Sequence, residues 1–255
     1  RSPSVHHLDL DPWSLQQFAG KRRKRKTGLL AGKYQRPALS LFNAHCQKVV
    51  DVYGLDKLHI QDRALQIRVE CDRVMVQLAN ETRLTTRNVV LAIGAGEQPR
   101  WPDWAPRNHN QVHHIFDPDF KSWPKASETV AVVGGGISSA QVSLRLFEEG
   151  RRVHMISRHA PREHMFDSDP GWLGPRHMLR FRNEKDFDQR RSILNDARYP
   201  GSMPPEVLRA LRRAAVGDRF EWLEDGVQEV EEVENFLIGK WNIQRKPQNE
   251  WGAPL

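Results

Sequence analysis

The chain is 255 residues long, with 38% hydrophobic and 28% charged residues, a balance that excludes an intrinsically disordered chain and leaves room for two ordinary domains. No apolar run approaches the roughly 18 residues needed to cross a bilayer, which excludes a spanning helix. The formal charge of +7 would suit nucleic-acid binding, but six of the positive charges sit in one run, KRRKRK from Lys21 to Lys26, and the rest of the chain is nearly neutral. A block of like charges repels itself and is expected to be a solvated loop, so a nucleic-acid partner is the least favoured reading. Cys46 and Cys71 are the only cysteines, too few for a disulfide framework and without metal-ligand spacing. The opening RSPSVHHLDLDPW has no apolar leader, and a reducing, cytoplasmic compartment is expected.

In chain order, YQRPALSLFNAHCQKVVDVYGL (34 to 55) places Leu39, Phe42, Val49, Val50 and Val52 near one helical face. Pro37 suits a first turn and Gly54 a stop, which predicts a helix between them. Alternation through Ile67, Val69, Val74, Val76 and Leu78 predicts a β-meander with a turn at Ala79 to Glu81. The run NVVLAIGAG, Asn88 to Gly96, predicts a fully buried sheet strand that empties into glycine. The glycines and prolines of GAGEQPRWPDWAP then suit a crossing between domains, with a boundary near Pro106. Asn108 to Pro124 reads as connecting loop.

The stretch TVAVVGGGISSAQVSLRLFEEGRRVHMISRH (129 to 159) is a strand, a glycine turn, a helix and a second strand. Gly134, Gly135, Gly136, Ile137, Ser138 and Ser139 fit G-x-G-x-x-G with serine last. Gly134 permits the tight turn, Gly136 admits a pyrophosphate against the main chain, and small Ser139 lets the helix lie on the strand. The helix passes through Ala140, Leu144 and Phe147 to Gly150, and its N-terminus points at the phosphates. An NAD site would carry a carboxylate at the end of the second strand to bind the ribose 2′-hydroxyl. Here Ser157 and Arg158 stand at that end, with His159 and Arg162 just beyond, and a guanidinium suits the 2′-phosphate of NADP.

Arg162 to Met178 is rich in Asp, Gly, Pro and Trp and is expected to be a long ordered loop. Asp167, Asp169, Trp172 and Arg176 are its candidates for framing a cleft, and a Trp172 that plugs a domain interface is the alternative. A Pro-started helix is predicted over Glu206 to Ala215, with Arg209, Arg212 and Arg213 on a solvated face. The pairs His6-His7 and His113-His114 lack metal-site spacing, so no metal is expected, and no G-x-S-x-G elbow marks a hydrolase.

The pair NVVLAIGAGEQPRWPDW and VAVVGGGISSAQ resembles the middle of the flavin-dependent monooxygenase superfamily, the flavin-containing monooxygenases and the lysine and ornithine N-hydroxylases. Gly94, Ala95 and Gly96 match the end of the family's A-T-G-type strand, with Ile93 in place of the usual Thr. Gly134, Gly136, Ser138 and Ser139 match the turn of its inserted NADPH domain. The resemblance spans roughly residues 34 to 225. It implies an α/β fold, with a doubly wound, Rossmann-like NADP-binding domain (107–225) joined to part of an FAD-binding α/β domain that includes the meander (1–106), and a tail (226–255). It also implies an oxidoreductase in which NADPH reduces FAD and oxygen passes to a small-molecule amine or other soft nucleophile. It identifies no catalytic side chain. The family's N-terminal FAD glycine turn and closing FAD segment have no counterpart, so an interior fragment or truncated relative is expected. The alternative is a non-catalytic NADP-binding or scaffold module without a complete FAD site. Pyridine-nucleotide disulfide reductases share the two-cradle plan, but Cys46 and Cys71 cannot supply their C-x-x-x-x-C pair.

Overall fold

A computed structural model describes residues 3–5, 8–20, 28–94, 99–120, 122–123, 129–233 and 236–241. The chain divides into two compact units, Ser2–Ala95 and Gly96–Leu255. The basic run at Lys21 to Lys26, the pair His6-His7, and Ala95 and Gly96 lie outside the described residues.

In the first unit a short helix α1 (Ser14–Phe18) precedes a two-residue ladder, β1 (Leu30–Ala31) with β2 (Arg36–Pro37), and the long helix α2 (Leu39–Tyr53). Helix α2 begins just past Pro37 and stops where Gly54 turns to φ 59°, a left-handed residue that only glycine adopts without steric cost. Leu15, Ala19 and Leu41 form a small core, flanked by Leu29, Leu30 and Phe42. Beneath it runs a polar chain. The Tyr53 hydroxyl donates to Asp9 Oδ1 (2.8 Å), Ser14 Oγ donates to Asp9 Oδ2 (2.6 Å), and buried His45 meets Ser14 Oγ through Nε2 (2.8 Å). Because the Ser14 proton is given to Asp9, His45 Nε2 is the donor in the last of these bonds.

The expected meander is present as an antiparallel sheet in the order β3 (Ala64–Glu70), β4 (Arg73–Leu78), β5 (Arg83–Thr86). Its second turn closes with Leu78 N–H donating to Thr82 O at 2.9 Å, and Glu81 takes φ 69°. The next expectation fails. Residues 88–94 form no strand, and Val90 and Ile93 are 88% and 85% exposed. An apolar run becomes a buried strand only if neighbouring strands accept its backbone groups. Among the described residues no strand pairs with it.

The second unit is built on a parallel sheet, β10-β7-β6, from β6 (Thr129–Val133), β7 (Arg152–Ser157) and β10 (Phe220–Glu224). Helix α3 (Ile137–Glu148) links β6 to β7, and α6 (Pro205–Ala214) precedes β10. Ala140 and Leu146 of α3 and Leu208, Leu211 and Ala214 of α6 pack with Val153, Met155 and Phe220 in one core. Each of its large side chains contributes about 1.5–3 kcal/mol by leaving water. Leu208, Leu211 and Ala214 recur at helical spacing, which turns Arg209, Arg212 and Arg213 outward as expected.

Between β7 and α6 the chain is more regular than its composition suggests. Arg162–Glu163 (β8) pairs in parallel with Ser202–Met203 (β9), and Pro170–Leu173 forms a 3-10 turn. Helix α4 (Pro175–Asn183) then starts inside the stretch expected to be loop, and α5 (Phe187–Ala197) follows. Asp169 caps the 3-10 turn by accepting the Gly171 N–H at 2.7 Å, Pro175 presets the first helical φ, and Asp186 caps α5 through Gln189 N–H. Past Gly226, the segment expected to be tail contains an antiparallel hairpin, β11 (Val227–Val233) with β12 (Phe236–Trp241).

Candidate nucleotide-binding site

Strand β6 delivers the chain into Gly134, whose φ of 144° strains any residue with a Cβ. The Gly134 N–H donates to Ile156 O at 2.8 Å, tying the turn to β7. A Cβ on Gly134 would stand 3.2 Å from Ser139 Cβ, so a glycine first and a small residue last are both steric demands of the fold. Ser139 Oγ donates to Gly136 O at 2.8 Å and holds the first helical turn. Gly136, by contrast, is extended (φ −100°, ψ −175°), and caps α3 without a side-chain hydrogen bond. Among the described residues the first-turn N–H groups of Ile137, Ser138 and Ser139 have no acceptor. Such a terminus carries partial positive charge and donors aimed at an anion.

The turn opens on a cleft of about 480 Å³ within the second unit, bounded by β6, Ile137, Ser138 and Ser139 on one side and residues 111–123 on the other. Those residues, expected to be a plain connection, form two sets of ring contacts, one of which reaches Trp101. Trp101 meets His114 at 5.5 Å, His113 meets Phe120 at 5.6 Å, and Phe120 meets Trp123 at 4.9 Å. The density of aromatic and histidine side chains in NHNQVHHIFDPDFKSW was the available signal for this wall.

At the end of β7, Ser157 is a staple: its Oγ donates to His159 O and accepts the Trp222 Nε1–H, both at 2.9 Å. Arg158 is exposed, and among the described residues it has no hydrogen-bond or ion-pair partner. Its stem lies near Gly226, where a Cβ would come 3.7 Å from Arg158 Cγ. Arg162 is tethered, with Nη1 donating to Pro200 O at 3.1 Å. The carboxylate at the end of β10, Asp225, is turned on its own turn and accepts the Gly226 N–H at 2.6 Å. The His159 ring lies against Gly135 and Gly201, and its Nδ1 donates to Ala160 O at 2.8 Å.

Of the four loop candidates only Asp167 lines the cleft, held by Arg198 through Nη2 at 2.6 Å and Nε at 3.0 Å. Trp172 packs instead on His177 (5.4 Å) and Phe181 (6.1 Å), within its own segment. Asp169, its carboxyl held below the usual range first by the Gly171 N–H and then by nearby His177 and Arg176, serves the 3-10 turn. Gly94 takes φ 61° with open space around it. Cys46 and Cys71 are both free thiols. Among the described residues no His, Cys, Asp and Glu side chains cluster as a metal site, and no helix is long and apolar enough to cross a membrane.

Residues 31–196, which include the glycine turn, match the family described as pyridine nucleotide-disulphide oxidoreductase. No curated protein sequence matches the chain. Among solved structures, an ornithine hydroxylase from Pseudomonas aeruginosa is similar over 80% of this chain and 54% of its own, at 14% identity and a TM-score of 0.56. A bacillithiol disulfide reductase from Staphylococcus aureus is similar over 83% of this chain and 55% of its own, at 14% identity and a TM-score of 0.53. The chain thus spans about half the length of these structures, and at such identity the likeness is one of fold. The resemblance to flavin-dependent monooxygenases holds at the level of fold, and by its matched span the chain belongs to the pyridine nucleotide-disulphide oxidoreductase family.

Proposed function

We propose that the chain is the nicotinamide domain and part of the flavin domain of an FAD- and NADPH-dependent oxidoreductase of monooxygenase type. Residues 107–225 hold NADP, residues 1–106 contribute to the flavin side, and a small amine or other soft nucleophile is the substrate. The observation that carries this reading is the uncapped N-terminus of α3, which opens on a cleft, together with Arg158, exposed past the end of β7 and without a partner among the described residues. The glycine turn fits a pyrophosphate: Gly136 has no side chain, and the N–H groups of Ile137, Ser138 and Ser139 are available to its oxygens. Arg158 is free to grip a 2′-phosphate, with Arg162 sharing that role if it leaves Pro200 O. When bound, the two cofactors supply electron transfer from NADPH to FAD and oxygen transfer to the substrate. The protein contributes position: the aromatic wall at 111–123 borders the cleft. Gly94, Ala95 and Gly96 are proposed as a flavin-side hinge. The two free thiols suit a reducing, cytoplasmic setting.

A second reading, an NADP-binding module without a working flavin site, is favoured by the exposed run at residues 88–94, which pairs with no strand among the described residues. Flavin absorbance of the purified full-length protein, followed as NADPH is titrated in, separates the two. Retained flavin absorbance that bleaches with NADPH supports the enzyme; NADPH binding without flavin retention supports the module; and binding of neither cofactor contradicts both.

A further inference from the structure

We propose that His159 is a latch on the adenosine side of the cradle: its imidazole fills the ribose position and swings aside when a dinucleotide seats. This rests on the nucleotide reading above but concerns a residue with no part in it. Three glycines on two separate segments supply the geometry. A Cβ on Gly135, the middle of the turn, would stand 2.8 Å from His159 Cε1, 3.0 Å from Nε2 and 3.1 Å from Ser157 Cβ. A Cβ on Gly201 would stand 2.5 Å from Nε2 and 2.8 Å from Cε1. The same Gly201 backbone faces Gly136, whose Cβ would lie 3.7 Å from Gly201 Cα. The Cε1–Nε2 edge of the ring is therefore wedged between two backbones that admit it only because both are glycine.

In a strand–turn–helix cradle the dinucleotide ribose lies between the first residues of the turn and the end of the second strand. Here those limits are Gly135 and Ser157, and the ring is in contact with the first and close to the second. A sugar and an imidazole cannot share that gap. The ring is nonetheless easily released. His159 is half-buried, lies past the end of β7 in irregular chain, and its Nδ1 is held by a single bond to the adjacent residue's carbonyl. Opening is then a side-chain rotation, and the closed fraction lowers apparent affinity in proportion.

The test uses the 255-residue chain with 2′,5′-ADP as the adenosine-side probe and nicotinamide mononucleotide as the opposite half. His159→Ala should bind 2′,5′-ADP at least about fivefold more tightly than wild type, with mononucleotide affinity changed by less than about twofold. In the wild-type chain, NMR should show nuclear Overhauser contacts from His159 Cε1–H to the α-protons of Gly135 and Gly201, lost at saturating 2′,5′-ADP. This second measurement needs no variant. Equal or weaker binding by His159→Ala, or contacts that survive saturation, overturns the latch and leaves the NADP reading standing. If neither chain binds 2′,5′-ADP, the cradle reading fails and the latch falls with it.

Discussion

Two glycines of one turn should respond in different ways to the same added methyl group. Gly134 sits at φ 144°, and an alanine there incurs about 1–3 kcal/mol of backbone strain before its Cβ meets Ser139 Cβ at 3.2 Å. A unit of this size loses about 2–4 °C per kcal/mol, so Gly134→Ala should lower the melting temperature by about 4–8 °C for a 2 kcal/mol loss. Gly136 is extended, and its Cβ would meet only Gly201 Cα, at an ordinary 3.7 Å. Gly136→Ala should therefore stay within about 0.5 kcal/mol of wild type in stability. It should still weaken NADPH binding by about tenfold or more, because the methyl group stands between the main chain and the pyrophosphate. Gly150→Ala, at φ 91° with open space around it, isolates the backbone term, about 1 kcal/mol. Calorimetry and NADPH fluorescence titration read the two effects. A Gly134→Ala chain as stable as wild type, or a Gly136→Ala chain that binds NADPH unchanged, would refute the assignment of one glycine to the fold and the other to the ligand.

Leu211→Ala, at the centre of the α3–α6–sheet core, should cost about 2–5 kcal/mol in urea unfolding. Ser14→Ala removes the link between Asp9 and buried His45 and should cost about 1–3 kcal/mol, read the same way. Burial pushes the His45 pKa below its ordinary 6.5, opposed by Asp9 and aided by Lys48. The unfolded chain then takes up a proton that the fold resists, so stability is full above about pH 6.5 and declines as pH falls from there toward the lowered folded value. Urea midpoints measured across that window should fall for wild type and stay flatter for His45→Gln.

The glycine turn was legible in the sequence because its constraints are local: a φ of 144° at Gly134 and a helix packed against Ser139 leave few other residues possible. The same holds for α2, bracketed by Pro37 and Gly54. The run at 88–94 misled because apolar content reports what a segment could bury against, not whether strands flank it. Helix α4 was missed because Asp, Gly, Pro and Trp were read as irregular, although Gly174-Pro175 is a good helix start. Strand β10 went unread too, since its half-buried alternation of Phe220 and Trp222 with Glu221 is short and sits beside a turn. The position of Arg158 just past β7 was readable from the sequence, whereas the wall at 111–123 and the wedge at His159 depend on segments that meet only in the folded unit.

If the cradle selects a phosphorylated dinucleotide through Arg158, the ratio of NADPH to NADH dissociation constants must show it. Wild type should prefer NADPH. Arg158→Ala should lose a charge-assisted contact of about 1.5–3 kcal/mol for NADPH, about 10- to 150-fold in affinity, and leave NADH almost unchanged. If Arg162 shares the phosphate, the single variant falls at the low end and the double variant shows the full loss. A wild-type preference for NADH, or a ratio that Arg158→Ala leaves untouched, would contradict the account.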